Sequence, residues 1–157
     1  MKLAHKTWVI VADGEKFLLL NNKGDQDFLN LEVVKAETNR TPPDHELSAD
    51  RPGRQNDAAR QVTGGVEAWG KSAMEETDWH RVAEERFAKE TTAKLREWAA
   101  SGRFGQLVVI ADPRTLGEMR AAYDDGLRSV IIAEINKDLT KMPLDKIEKS
   151  ILAYETA

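Results

Sequence analysis

Two aspartates are the first residues in this chain whose placement suggests chemistry. Asp13 follows the apolar run TWVIVA (7–12), and Asp112 follows QLVVIA (106–111). If those runs are neighbouring parallel strands, both carboxylates stand at one edge of a sheet. Paired oxygen donors there could hold a hard divalent cation such as Mg2+ and activate a water. Such a site needs a third acid, for which Glu84 or Glu85 on a long helical stretch is the candidate. Local structure accounts for the same two residues without any metal. Asp13-Gly14 is a hairpin-turn signal, because Gly tolerates the positive φ such turns use. Asp112-Pro113 is a helix start, with Asp as the cap and Pro in the first turn.

A second set of residues suits phosphate. Arg40, Arg51, Arg54, Arg60 and Lys71 fall in a polar stretch between the third strand and the long helix, where flexible cations could touch an RNA backbone. Asp44, Glu46, Asp50, Asp57 and Glu67 are interleaved with them, so the stretch is not a basic arm. Trp69 stands apart from any apolar stripe, where it can stack on a base, anchor a partner or pack on the sheet edge. Gly64-Gly65 is a loop signal in its own right. The histidines His5, His45 and His80 lack metal-ligand spacing, and no nucleophile elbow or phosphate loop is present.

The elements that must position these residues read as follows. TWVIVA is a central strand buried on both faces. KFLLLN (16–21) and FLNLEVVKAE (28–37) complete an antiparallel meander through two polar turns. A polar excursion at about 38–76, punctuated by Pro and Gly, is expected to be a mobile loop, because it has too few apolar residues to offset its ordering entropy. Thr77 or Asp78 can cap a helix whose apolar stripe includes Trp79, Val82, Phe87, Leu95 and Trp98, ending at Ser101-Gly102. QLVVIA is the fourth strand. Leu116, Met119 and Tyr123 mark the next helix, stopped by Asp124-Asp125-Gly126; SVIIAEI (129–135) is the fifth strand; Pro143 opens the last helix. The order β-β-β-α-β-α-β-α predicts a ribonuclease H-like mixed five-stranded sheet with helices on its faces. One domain, 1–157, accommodates it.

Composition narrows the classes. A net charge of −4 supplies no overall basic field for nucleic acid. The absence of cysteine excludes disulfides and thiolate metal sites. No run approaches the length of a membrane span, and the opening residues do not make a signal peptide, so a cytoplasmic protein is expected.

Four blocks in order, TWVIVADGEKFLLL, ETDWHRVAEERFAKETTAKL, LVVIADPRTLGEMR and AEINKDLTKMPLDKIEKSI, resemble the host-attachment protein family of bacteria over nearly the whole chain. That family is grouped with bacterial relatives of the middle domain of the eukaryotic and archaeal peptide-chain release factor. The resemblance implies the same strand and helix order. In the release factor, a Gly-Gly-Gln loop between the third strand and a long helix promotes hydrolysis of peptidyl-tRNA. This chain has Gly64-Gly65 in the equivalent stretch, but Val66 follows, and Gln55 and Gln61 are out of register. The resemblance therefore implies a non-catalytic or weakly catalytic binding domain that meets a ribosome or tRNA through the 38–76 stretch, with Arg51, Arg54, Arg60, Gly64, Gly65, Trp69 and Lys71 as contacts. The family name implies an alternative, a protein acting with other proteins in attachment to host cells. A metal-dependent nuclease built on Asp13 and Asp112 is a third reading, since nucleases of this fold hold metal ions with such acids.

Overall fold

The computed structural model describes residues 1–39 and 65–155, and only the backbone of residues 65–77. Its strands are β1 (Trp8–Ala12), β2 (Lys16–Asn22), β3 (Leu31–Thr38), β4 (Leu107–Ala111) and β5 (Ile131–Asn136). Its helices are α1 (Gly65–Ala100), α2 (Pro113–Ala121), α3 (Asp125–Val130) and α4 (Leu144–Ala153). The strands form one sheet in the order β3-β2-β1-β4-β5. The β1–β2 and β2–β3 pairs are antiparallel, and β1–β4 and β4–β5 are parallel. This is the mixed sheet that the element order predicts.

β1 and β4 are apolar throughout because neither face is wet. On one face Ile10, Phe17, Leu19 and Val109 meet Phe87 and Leu95 of α1, with Leu116 of α2 and Leu127 of α3. On the other, Val9, Val11, Val108 and Ile110 meet Ile147 and Ile151 of α4. Each fully buried aliphatic side chain of this kind contributes about 2 kcal/mol of transfer free energy. Thr91 and Thr92 share the buried side of α1, where Thr92 donates back to the Ala88 carbonyl at 2.8 Å.

The chain divides into two units, Met1–Asn39 with Glu84–Ala157, and Arg40–Ala83. In the second, α1 begins at Gly65, twelve residues before the expected cap at Thr77 or Asp78. Ala68, Lys71, Ala73, Met74, Glu75 and Glu76 are strong helix formers, and together they outweigh the cost of about 1 kcal/mol for Gly70 in a helix interior. Trp79 and Val82, expected on the apolar stripe, are exposed. Two further boundaries move. Asp124 does not end a helix but caps α3, accepting from the Leu127 N–H at 2.7 Å, so β5 starts two residues late. β3 starts at Leu31, and its middle is exposed from Glu32 to Ala36. The pairing with β2 jumps from Lys35 to Val33, leaving Val34 as a bulge. A bulge on an edge strand spoils the flat template on which foreign strands add.

Glu37, near the end of β3, accepts from Lys94 Nζ of α1 at 2.8 Å, with Lys35 at 3.5 Å. The Lys94 hydrogen bond, helped by the charges of both lysines and opposed by burial, holds the Glu37 carboxyl below the ordinary carboxylate range. A lowered folded value means that the stabilisation is complete above the unfolded value and fades as pH falls through the folded one. Glu37→Gln is therefore expected to lower stability by no more than about 1 kcal/mol near neutrality, Lys94 being partly solvated, and by nothing in strong acid. Urea midpoints at the two pH values test this.

Candidate functional site

The parallel register places Ala12 beside Ala111, so Asp13 and Asp112 leave adjacent strands at the same edge of the sheet. The sequence reading of their proximity is met, and their side chains can be followed atom by atom. Asp13 Oδ1 accepts from the N–H groups of Glu15 and Lys16 at 2.7 and 2.8 Å, closing the β1–β2 turn. Asp13 Oδ2 accepts from the Thr140 hydroxyl at 2.6 Å, and that hydroxyl also lies 3.1 Å from Asp138 Oδ1. Thr140 is itself buried, so a chain segment 127 residues away is pinned to the first turn. Asp112 Oδ2 caps α2 by accepting from the Thr115 N–H at 3.2 Å, while Oδ1 is buried and has no partner among the described residues.

Glycine serves this edge differently from the sequence expectation. Gly14 does not have a positive φ. Glu84 of α1 packs over it: an added Cβ would sit 2.8 Å from Glu84 Cγ, and the Glu84 side chain would have to swing aside. The same turn holds the point where the chain leaves β3. The Asn39 N–H donates to the Glu15 carbonyl at 2.6 Å, and Asn39 Nδ2 donates to the Gly14 carbonyl at 3.3 Å. One edge thus gathers the β1–β2 turn, the two aspartates, Thr140, Glu84 and the root of the long excursion. Neither Thr140 nor Asn39 carries a sequence signal for this role. Both act through contacts more than twenty residues away, which no local pattern records.

The arrangement is better suited to holding loops than to holding a metal. Three of the four carboxylate oxygens of Asp13 and Asp112 are already engaged by N–H and O–H groups of the chain. A hard cation needs about six oxygen ligands. Among the described residues no three Asp, Glu, His or Cys side chains converge to share one. Of the residues read as partner contacts, Gly65 begins α1, and Trp69 and Lys71 fall in its first two turns rather than in a loop. The side chains of Trp69 and Lys71, and Arg51, Arg54, Arg60 and Gly64 altogether, lie outside the described residues. No described helix is long and apolar enough to cross a membrane.

A protein called "Uncharacterized protein RP470" from Rickettsia prowazekii (strain Madrid E) is 33% identical over 55 residues, or 35% of this chain and 37% of that protein. The match thus spans little more than a third of that relative. A family model, Bacterial archaeo-eukaryotic release factor family 12, matches residues 6–151, from just before β1 into α4. The chain belongs to bacterial archaeo-eukaryotic release factor family 12.

Proposed function

We propose that this protein is a ribosome- or tRNA-associated binding domain that uses the stretch between β3 and α1 to touch RNA without hydrolysing peptidyl-tRNA. The observation that carries the reading is the family match, which runs across that stretch, together with Gly64-Gly65-Val66 in place of Gly-Gly-Gln. The glutamine is the residue that the release-factor reaction uses, and a valine side chain can neither donate nor accept a hydrogen bond. Binding has other resources. Arg51, Arg54 and Arg60 are planar cations suited to phosphate oxygens, and Lys71 adds a fourth charge. The root of the stretch, Asn39, is hydrogen-bonded to the β1–β2 turn.

Co-sedimentation with ribosomes, and gel shift with tRNA, test this directly. The wild type is expected in a ribosomal or tRNA-bound fraction at low salt. Arg51→Glu/Arg54→Glu/Arg60→Glu is expected to lose it and to reduce the salt dependence by about three phosphate contacts. Absence of the wild type from every such fraction would overturn the reading, and peptidyl-tRNA hydrolysis by it would overturn the non-catalytic part. Cell fractionation separates this reading from attachment to host cells, which requires exposure on the surface.

A further inference from the structure

A pocket of about 270 Å³ lies beside β5, away from the edge that holds Asp13 and Asp112, and is lined by Arg120, Tyr123, Arg128, Ile131 and Glu134. Its charges do not balance. Glu134 accepts from Arg120 Nε at 3.0 and 3.2 Å, pairs with Arg120 Nη2 at 3.0 Å, and accepts from the Tyr123 hydroxyl at 2.8 Å. Both oxygens of that carboxylate are consumed, and Arg120 neutralises its charge. Burial, with the bond to Glu134, pushes the Tyr123 phenol far above its ordinary range, so it adds no negative charge. The nearby Asp124 is occupied with the Leu127 N–H and lies 3.9 Å from Arg96. Arg128 remains, an exposed guanidinium with no ion-pair partner among the described residues, facing the same space.

We propose that this pocket binds a small phosphate ester. The phosphate sits between Arg128 and the edge of Arg120 turned away from Glu134, and the organic body lies against Tyr123 and Ile131. Two guanidinium forks offer more donors than a carboxylate's two oxygens can use, whereas a terminal phosphate presents three acceptor oxygens. Arg120 is already fixed by Glu134, so little side-chain entropy is lost when the anion arrives. The volume lies at the lower limit of small-molecule sites, which suits a ligand the size of one nucleotide. A cation is disfavoured, because the one carboxylate present has no free acceptor. The proposal is independent of the RNA-binding reading, since it uses no residue of the 38–76 stretch.

Amide NMR titration of the full chain with inorganic phosphate and with uridine monophosphate tests it, with acetate as the carboxylate control. Saturable shifts are expected at Tyr123, Arg128 and Ile131, with a dissociation constant on the order of 1 mM or tighter for the nucleotide. Arg128→Gln should weaken binding by about tenfold or more, and the change is on the surface, so the fold survives it. Arg114→Gln, an exposed arginine at the start of α2, should leave binding unchanged. Unsaturable or absent shifts, an equal loss in both variants, or acetate binding as tightly as phosphate would each overturn the proposal.

Discussion

Replacing Asn22 with alanine is expected to cost about 3 kcal/mol of stability, more than any surface change in this chain. The side chain is fully buried and uses every hydrogen-bonding position it has. Nδ2 donates to the carbonyls of Leu3 and Ala4, both at 3.1 Å. Oδ1 accepts from the N–H groups of Gly24 and Asn30 at 2.9 and 3.1 Å. One amide therefore joins the segment before β1 to both ends of the turn between β2 and β3. Truncation removes four bonds at once and strands the Leu3 carbonyl and the Gly24 and Asn30 N–H groups with no alternative acceptor or donor in place. Each stranded buried group costs about 1–3 kcal/mol, reduced where water can enter. Asn22→Asp separates hydrogen bonding from cavity formation. It keeps the shape and the two accepted bonds but turns an anionic oxygen towards two carbonyls, and it is expected to destabilise by a similar amount. Urea unfolding with an unchanged m value measures both. A loss below about 1 kcal/mol in either variant would show that the turn is held from elsewhere.

The contrast between Asn22 and the strands shows what a sequence makes legible. TWVIVA and QLVVIA announced buried central strands because the signal, unbroken apolar character, is local and strong. Asp112-Pro113 announced its cap for the same reason, and the bond to Thr115 is the one expected. The Asp-Gly turn forms where its letters predict, but Gly14 has no positive φ; what lies over it is Glu84, seventy residues on. α1 starts earlier than its punctuating glycines suggest, because the helix formers around them outweigh their cost. α3 is hidden in the sequence because Asp124-Asp125-Gly126 is a stop signal and a start signal in the same letters. The candidate site divides along the same line. The aspartate pair was visible because each member ends an obvious strand. Thr140, Asn39 and the Arg128 pocket were not, because their meaning lies in partners brought together only by the fold. Arg51, Arg54, Arg60 and Gly64 lie outside the described residues.

Asp13→Ala is expected to destabilise the protein by about 3 kcal/mol, while Asp13→Asn costs about 1 kcal/mol. Alanine leaves the Glu15 and Lys16 N–H groups without their acceptor and removes the shorter of the two bonds of the buried Thr140 hydroxyl. The bonds lost are to a charged group, which makes them stronger than neutral ones. Asparagine keeps one oxygen for the turn. Its Nδ2 would then face Thr140 Oγ, which can reverse its role, accepting from the amide and donating to Asp138 Oδ1 at 3.1 Å. A metal ligand gives the opposite pattern, since a neutral amide is a poor substitute for a carboxylate on a hard cation, and both variants would then lose metal-dependent behaviour alike. Thermal unfolding with and without Mg2+ distinguishes the two roles. If Asp13 is a tether, Mg2+ leaves the wild-type midpoint unmoved, Asp13→Asn remains folded, and Thr140→Val couples to Asp13→Ala in a double-mutant cycle by about 1–2 kcal/mol. A midpoint raised by Mg2+ in the wild type and not in Asp13→Asn would instead return this edge to the nucleases. Because Asp13 closes the turn to which Asn39 is bonded, Asp13→Ala should loosen the root of the excursion and, under the proposed function, weaken RNA association with Arg51, Arg54 and Arg60 untouched.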